Sequence, residues 1–190
     1  MKSILATFVA LLFVSASVFA GPKPTGNIDL KKSVLNWKGY KVTGSHTGTV
    51  GFKSGSLDFS GNMLKGGSFV IDMASIACTD LEGKGKASLE GHLKSDDFFG
   101  VEKSPTAKIE ITKVVSRGKP GDYKIVANLT IKNITKEIKF DAKVADGKAT
   151  AKIVVDRSEF DVKYGSGSFF ENLADNTIYD EFDIDINVAY

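Results

Sequence analysis

The sequence predicts an all-β fold, an antiparallel barrel of about eight to ten short strands with one short helix. Three observations support this prediction: hydrophobic residues occupy alternate positions over most of the chain after residue 30, turn-forming residues separate these runs, and one segment departs from the alternation. A period of two residues is typical of strands that bury one face. Closing such strands into a barrel removes the exposed edges of an open sheet.

The first half of the chain predicts four strands, each with hydrophobic residues at every second position. Ser54-Gly55 is expected to end the second strand, and Gly61-Asn62 forms a turn after the third. The residues that share one face of each strand are, in order, Leu35, Trp37 and Gly39; Val50 and Phe52; Leu57 and Phe59; and Phe69, Ile71 and Met73.

The single helix is predicted at about residues 80–93. Apolar or small residues recur every four positions from Leu81 to Leu93, which places them on one side of an α-helix. Thr79 or Asp80 is expected to cap its first turn. Each of the three glycines in this segment weakens the helix by about 1 kcal/mol relative to Ala. We therefore expect a short helix laid across a mouth or a side of the sheet.

The second half of the chain predicts six further strands, with Asp146-Gly147 as a strong hairpin signal. The alternating hydrophobic residues of these strands are Ile109 and Ile111; Tyr123 to Ile131; Ile138 to Val144; Ala149 to Val155; Phe160 to Tyr164; and Phe182 to Tyr190.

Residues 1–20 are predicted to be a signal peptide. A basic start at Lys2 precedes an apolar run from Ile4 to Val14, and Val18 and Ala20 supply a cleavage signal. The apolar run is too short for a membrane-spanning helix, and no later stretch reaches about 18 apolar residues. The sequence therefore predicts one barrel domain over residues 21–190, periplasmic or secreted, with no integral membrane segment after cleavage.

Composition and charge restrict the classes of partner. The net charge is only +2 with both signs interspersed, and Arg occurs only at positions 117 and 157. A nucleic-acid-binding protein would carry a basic patch, so no nucleic acid partner is expected. Cys78 is the only cysteine, which excludes an internal disulfide. We expect it to be buried, with a reactive thiol or an intermolecular bridge as alternatives.

The sequence shows no arrangement typical of catalysis or of metal binding. His46 lies in a polar segment expected to be a turn, His92 lies near the end of the predicted helix, and neither has the spacing of a metal ligand. No nucleophile elbow occurs in a strand-to-helix context. We predict no catalytic residue, no metal and no enzyme activity. A hydrolase using a histidine as general base is the less favoured alternative.

The interior-facing positions are rich in aromatic and branched residues. Such residues either fill a small barrel or line a cavity that holds one ligand, and alternation does not separate the two cases. The interior set is Trp37, Phe52, Phe59, Phe69, Ile71, Ile109, Ile111, Phe140, Phe160, Phe182 and Ile184.

Several sequence blocks, in order over about residues 28–190, resemble the YceI-like polyisoprenoid-binding family. The most specific is the block His-Leu-Lys-Ser-x-Asp-Phe-Phe at residues 92–99. The others are Trp37-Lys38-Gly39, His46-x-Gly48, residues 67–76 (GSFVIDMxSI), Ser104-Pro105-Thr106-Ala107, residues 129–136 (LTIKxxTK), Asp156-Arg157-Ser158-x-Phe160, and Ile178-x-Asp180-x-Phe182.

The resemblance implies an eight-stranded, lipocalin-like antiparallel barrel with a long apolar tunnel. It also implies an exported protein, not known as an enzyme, that binds an extended lipid. Asn133 departs from the Gly more frequent in this turn of the family, but Asn tolerates left-handed backbone angles and should preserve the turn.

The predicted site consists of an apolar wall and a few polar residues at one end. His46, His92 and Asp97 are candidates for binding the lipid head group, with Phe98-Phe99 at an entrance. The alternative is that Phe98-Phe99 plug the core and His92 caps the helix. The predicted lipid-binding residues are Trp37, Phe52, Phe59, Phe69, Ile71, Phe98, Phe99, Ile109, Ile111, Phe160, Phe182 and Ile184.

The predicted function is binding of a polyisoprenoid or similar isoprenoid-tailed lipid for carriage, storage or sequestration. The bound lipid would be a ligand, and no cofactor is expected. A binder of fatty acids or fatty amides is one alternative, and a stress-associated exported barrel that acts through protein contacts is another. A homodimer formed along the sheet is left open.

Overall fold

The computed structural model describes residues 25–190, so the predicted signal peptide lies outside the described residues. Of the helices in this range, none is long and apolar enough to cross a membrane. The strands are β1 (Thr25–Asn27), β2 (Val34–Lys41), β3 (Gly44–Ser60), β4 (Met63–Cys78), β5 (Thr106–Ser116), β6 (Asp122–Ile131), β7 (Ile134–Ala145), β8 (Lys148–Asp156) and β9 (Ile178–Ala189); helix α1 is Gly83–Lys94, and 3₁₀ turns lie at Arg157–Phe160 and Ala174–Asn176.

Strands β2 to β9 form a closed barrel. Each strand pairs antiparallel with the next along the chain, and β9 pairs with β2 to complete the circle. The short β1 pairs with residues 56–58 of β3. The predicted eight-stranded antiparallel barrel with one helix is therefore confirmed.

Alternation and turn chemistry explain these strands. In β6 the odd-numbered residues from Tyr123 to Ile131 are all buried, as expected for a strand with one face in the core. The hairpin between β6 and β7 turns at Lys132 and Asn133, with φ angles of 48° and 63°, so the turn at Asn133 is preserved as predicted. Asp146 and Gly147, with φ of 53° and 73°, connect β7 to β8. Positive φ at both central residues is the signature of a type I′ hairpin.

Strand β3 differs from its prediction, because Ser54-Gly55 does not end it. The strand runs from Gly44 to Ser60 with three register shifts against β4, and such bulges bend a strand without ending it. A Cβ on Gly55 would lie 2.6 Å from the Phe69 ring, so this glycine makes room for a core aromatic rather than for a turn. His46 also lies within β3, opposite Gly39, and not in a turn.

The predicted helix cap is wrong. The residue before α1 is Glu82, which makes no side-chain capping bond. Asp80 instead accepts hydrogen bonds from the Thr47 amide and pairs with the His46 ring. The Asp80 side chain therefore binds residues of β3 and does not cap the helix, although it lies close to the helix in sequence.

The predicted strand from Phe160 to Tyr164 is also wrong. Arg157–Phe160 is a 3₁₀ turn, and the Asp156 carboxylate caps it by accepting from the Ser158 amide at 2.8 Å. Asp161 ends the turn in the left-handed conformation, with φ of 60°. Phe160 and Val162 are buried but Tyr164 is 49% exposed, so the alternating apolar residues here follow a turn and do not form a ladder.

Gly48→Ala is expected to lower the free energy of unfolding by about 1–3 kcal/mol, the range of overpacking in a core. A Cβ at Gly48 would lie 2.0 Å from the Ala77 carbonyl oxygen and 2.3 Å from the Trp37 indole, so both must shift. Gly39→Ala is the control, because its Cβ meets nothing within 4 Å. Urea unfolding checks both variants, and equal stabilities would contradict the prediction.

Candidate ligand-binding site in the barrel interior

A main cavity of about 120 Å³ lies in the barrel interior beside helix α1. Its wall consists almost wholly of hydrophobic side chains, and none of the described residues exposes a polar atom to it. The predicted lipid-binding residues that line this main cavity are Trp37, Ile71, Phe98, Phe99, Ile109, Phe182 and Ile184.

A second cavity of about 40 Å³ lies at the other end of the barrel. Leu57, Leu64 and Val188 belong to its wall, and they come from the ends of strands far from α1. Its exposed atoms are likewise apolar within the described chain. The predicted lipid-binding residues that line the second cavity are Phe52, Phe69, Ile109 and Ile111.

Two predicted lipid-binding residues line neither cavity. Phe59 packs against Tyr190, with ring centroids 5.2 Å apart. Phe160 is only 1% exposed and belongs to the hydrophobic core. Both residues lie close to the barrel interior, and a binding role for either stays a prediction.

Helix α1 and the turns that follow it, together the cap segment (residues 83–104), close one end of the main cavity. Leu93, Phe98 and Phe99 are its lining residues. The Phe98 and Phe99 rings meet edge to face at 5.0 Å, and Phe99 reaches Phe182 of β9 at 6.4 Å. The two phenylalanines therefore pack in the core and form the cavity wall at the same time.

Helix α1 is the part of the cap segment suited to move. The main cavity is smaller than the roughly 300–1,000 Å³ of typical ligand pockets, so an extended ligand needs more space than this conformation offers. Helix α1 contains no buried residue and has no side-chain cap at its start. Elements with few buried contacts open at the lowest cost in free energy.

Arg157 is a cavity-lining residue that the sequence reasoning did not select. Its side chain is 2% exposed, and its guanidinium lies 5.4 Å from the centre of the Phe98 ring. Burial lowers its pKa from the usual value, and the charges of Asp180 and Asp156 oppose that effect. One signal was available: in a chain that otherwise uses Lys, one of only two arginines lies in the block at residues 156–160.

The Arg157 guanidinium binds the protein's own backbone. It donates to the carbonyl oxygens of Val162 at 2.6 Å, Ile178 at 2.9 Å and Tyr179 at 3.1 Å. Its Nη2 also lies 3.3 Å from Asp180 Oδ1. These contacts tie the start of β9 to the segment after β8, so Arg157 shapes the cavity wall and does not present its charge to a ligand.

None of the three head-group candidates lines either cavity. His46 Nδ1 pairs with Asp80 at 3.1 Å. The His92 ring packs edge-on against Phe98 at 5.4 Å and Tyr164 at 4.4 Å. Asp97 is exposed. In the described structure, no hydrogen bond connects any two of these three candidates. Their role in head-group binding stays a prediction.

Cys78 is fully buried, which confirms the expectation from sequence. Burial raises the pKa of its thiol, and the hydrogen bond to Asp80 acts in the same direction. For Asp80, burial alone would raise the pKa, but hydrogen bonds from Cys78, Thr47 and His46 together lower it. A nucleophilic cysteine needs a lowered pKa, so this cluster has the properties of a structural one. Within residues 25–190, no group of three or more His, Cys, Asp or Glu is placed to hold a metal ion.

Comparison with known proteins places these features in a family. A family model described as the YceI-like domain matches residues 27–190. Curated relatives called UPF0312 protein, from Serratia proteamaculans and Pseudomonas aeruginosa, are each 41% identical over 58 residues. That match covers 30% of this chain and 29% of each relative, so it spans less than a third of their length.

Solved structures share the barrel at low sequence identity. BcnA of Burkholderia cenocepacia aligns with a TM-score of 0.68 at 21% identity, covering 86% of this chain and 99% of its own. A polyisoprenoid binding domain from Saccharophagus degradans gives 0.59 at 15% identity, covering 88% and 97%. A Campylobacter jejuni YCEI protein gives 0.55 at 18% identity, covering 100% and 98%. At such identities the likeness shows the fold.

Proposed function

We propose that this chain, which belongs to the YceI-like domain family, binds an extended apolar ligand, a polyisoprenoid or similar isoprenoid-tailed lipid, inside its barrel. The main cavity carries this proposal, because its wall exposes no polar atom of the described residues. A polar ligand group in such a place would lose its hydrogen bonds to water without replacement. A hydrocarbon tail loses none. The description of the Saccharophagus structure as polyisoprenoid binding supports the same ligand class.

A hydrocarbon tail needs no directional contact to bind tightly. Each buried CH₂ group contributes about 0.8 kcal/mol, so a tail of several isoprene units reaches high affinity by burial alone. The head group then stays at the cap segment, outside the apolar wall. His46, His92 and Asp97 are the proposed contacts for it. A fatty acid or fatty amide presents the same kind of tail and is the alternative ligand.

The proposed role is carriage, storage or sequestration of this lipid by an exported protein, periplasmic or secreted. The signal-like sequence of residues 1–20 supports export. Two observations favour binding over catalysis. The cavity wall exposes no polar atom of the described residues that could act as an acid or a base on a ligand. The buried Cys78 thiol has a raised pKa, which disfavours a nucleophilic role.

Native mass spectrometry of the purified protein, followed by organic extraction, tests the proposal. We expect a co-purifying lipid at about one per chain by mass, released by extraction and identifiable by its fragments. A ligand-free mass, together with no uptake of any isoprenoid or fatty lipid added afterwards, would overturn the proposed function.

The variant Ala107→Leu fills the main cavity and sharpens this test. Ala107 lines the cavity and is 3% exposed, so the added carbons occupy space that about two methylene groups of a ligand would use. We expect lipid affinity to fall about tenfold or more, while the ligand-free protein gains about 0.5–2 kcal/mol from the filled cavity. Val154→Leu, on the exposed outer face, is the control and should change neither. An unchanged affinity for Ala107→Leu would place the ligand elsewhere.

A further inference from the structure

We propose that the second cavity is a compartment for the end of the ligand's tail, and that the Ile109 side chain separates it from the main cavity and so limits tail length. This inference rests on the proposed function. It assigns a second binding region, and a residue that determines specificity, to the same barrel.

Ile109 stands at the boundary between the two cavities. It is the one described residue that lines both. It lies in β5, in register with Phe69 on β4 and with Leu129 on β6. Phe69 lines only the second cavity and Leu129 only the main cavity. A row of three neighbouring side chains therefore passes from one cavity to the other, with Ile109 in the middle.

The partition consists of side chains and not of backbone. Ile109 is 5% exposed within the barrel, and its backbone belongs to the β4–β5–β6 ladder. Phe69, its neighbour on β4, lines the second cavity together with Phe52, and the two ring centroids are 5.8 Å apart. Shortening one aliphatic side chain should therefore join the cavities without disturbing the barrel.

The chemistry of both walls identifies what would occupy the joined space. Neither wall exposes a polar atom among residues 25–190, so the second cavity suits the methyl end of a hydrocarbon chain. The main cavity ends at the cap segment, where a head group would stay. A tail entering there reaches Ile109 before it can reach the second cavity.

A series of saturated fatty acids of increasing length tests this proposal, because their length changes by one carbon at a time. Displacement of the fluorescent probe N-phenylnaphthylamine gives the affinities. For the unmodified protein we expect the affinity to rise about fourfold per added carbon and then to stop rising at one length. For Ile109→Ala we expect the rise to continue to longer acids, giving a final affinity about tenfold or more above the original plateau.

Two further variants keep this test decisive. Ile125→Ala removes the same atoms from a residue that lines only the second cavity, so the rise should stop at the original length. Ile109→Val makes a smaller opening and serves if Ile109→Ala does not fold. The role of Ile109 as the partition is wrong if the affinity stops rising at the same acid length in the position-109 variants as in the unmodified protein. It is also wrong if Ile125→Ala moves that length as far as Ile109→Ala does. Either result leaves the proposed function standing. If no member of the series binds, isoprenols of increasing length replace the fatty acids in the same comparison, and failure of the unmodified protein to bind these as well overturns the proposed function and the partition with it.

Discussion

Arg157→Met is expected to lower the free energy of unfolding by about 3–5 kcal/mol, the range found when one partner of a buried ion pair is removed. The substitution withdraws three hydrogen bonds from backbone carbonyl groups. It also leaves Asp180, whose side chain is 17% exposed, without its cationic partner. Methionine fills similar space but cannot donate, so the loss reports hydrogen bonding and charge more than packing.

Urea denaturation measures this loss, and the other arginine of the chain provides a matched control. Arg117 pairs with Asp141 at the surface, where the two side chains are 50% and 64% exposed. Arg117→Met should leave the unfolding midpoint nearly unchanged, because exposed ion pairs are weakened by solvent and salt. If the two Arg→Met variants unfold at the same urea concentration, the structural role assigned to Arg157 is wrong.

Arg157→Lys separates charge from geometry. A lysine keeps the positive charge near Asp180 but lacks the planar fork that reaches three carbonyl groups at once. We expect a stability between those of the original protein and Arg157→Met. Restoration of full stability by Lys would mean that charge alone stabilises this end of the barrel.

The sequence was sufficient for the barrel because alternation is a local property that the fold preserves. In β6 every second side chain from Tyr123 to Ile131 is buried, as the two-residue period of the sequence predicts. In β3 the same counting identified the buried residues Val50, Phe52 and Leu57. It missed that they belong to one strand, because register shifts change which parity faces inward without ending the strand. Those shifts depend on neighbours such as Phe69, which packs against Gly55 from another strand.

The site was only partly accessible to sequence reasoning. An apolar interior follows from alternation, but its division into two cavities depends on how fully a few side chains fill the space, which alternation does not report. The role of Arg157 was also hidden, because the backbone carbonyl groups that it binds lie up to 22 residues away in the chain. His46 lies beside Asp80 only because β3 and β4 pair. Contacts made by folding assign these roles, and sequence spacing does not contain them.

Phe160→Ala is expected to lower the free energy of unfolding by about 3–5 kcal/mol, the cost of removing a large buried aromatic side chain. Phe160 is 1% exposed and lines neither cavity. Its ring therefore anchors the 3₁₀ turn in the core and does not line the space proposed for the ligand. The folded fraction of the variant should bind lipid with the original affinity.

Phe99→Ala is the matched comparison for Phe160→Ala, because the same atoms are removed from a partly buried residue of the main cavity wall. We expect Phe99→Ala to lower the free energy of unfolding by less than Phe160→Ala does. We expect it to lower lipid affinity, since Phe99 lines the main cavity and joins the cap segment to Phe182. Urea unfolding and probe displacement, carried out on both variants where each is fully folded, separate the two effects. A loss of affinity in Phe160→Ala equal to that in Phe99→Ala would return Phe160 to the ligand-binding wall, where the sequence alone had placed it.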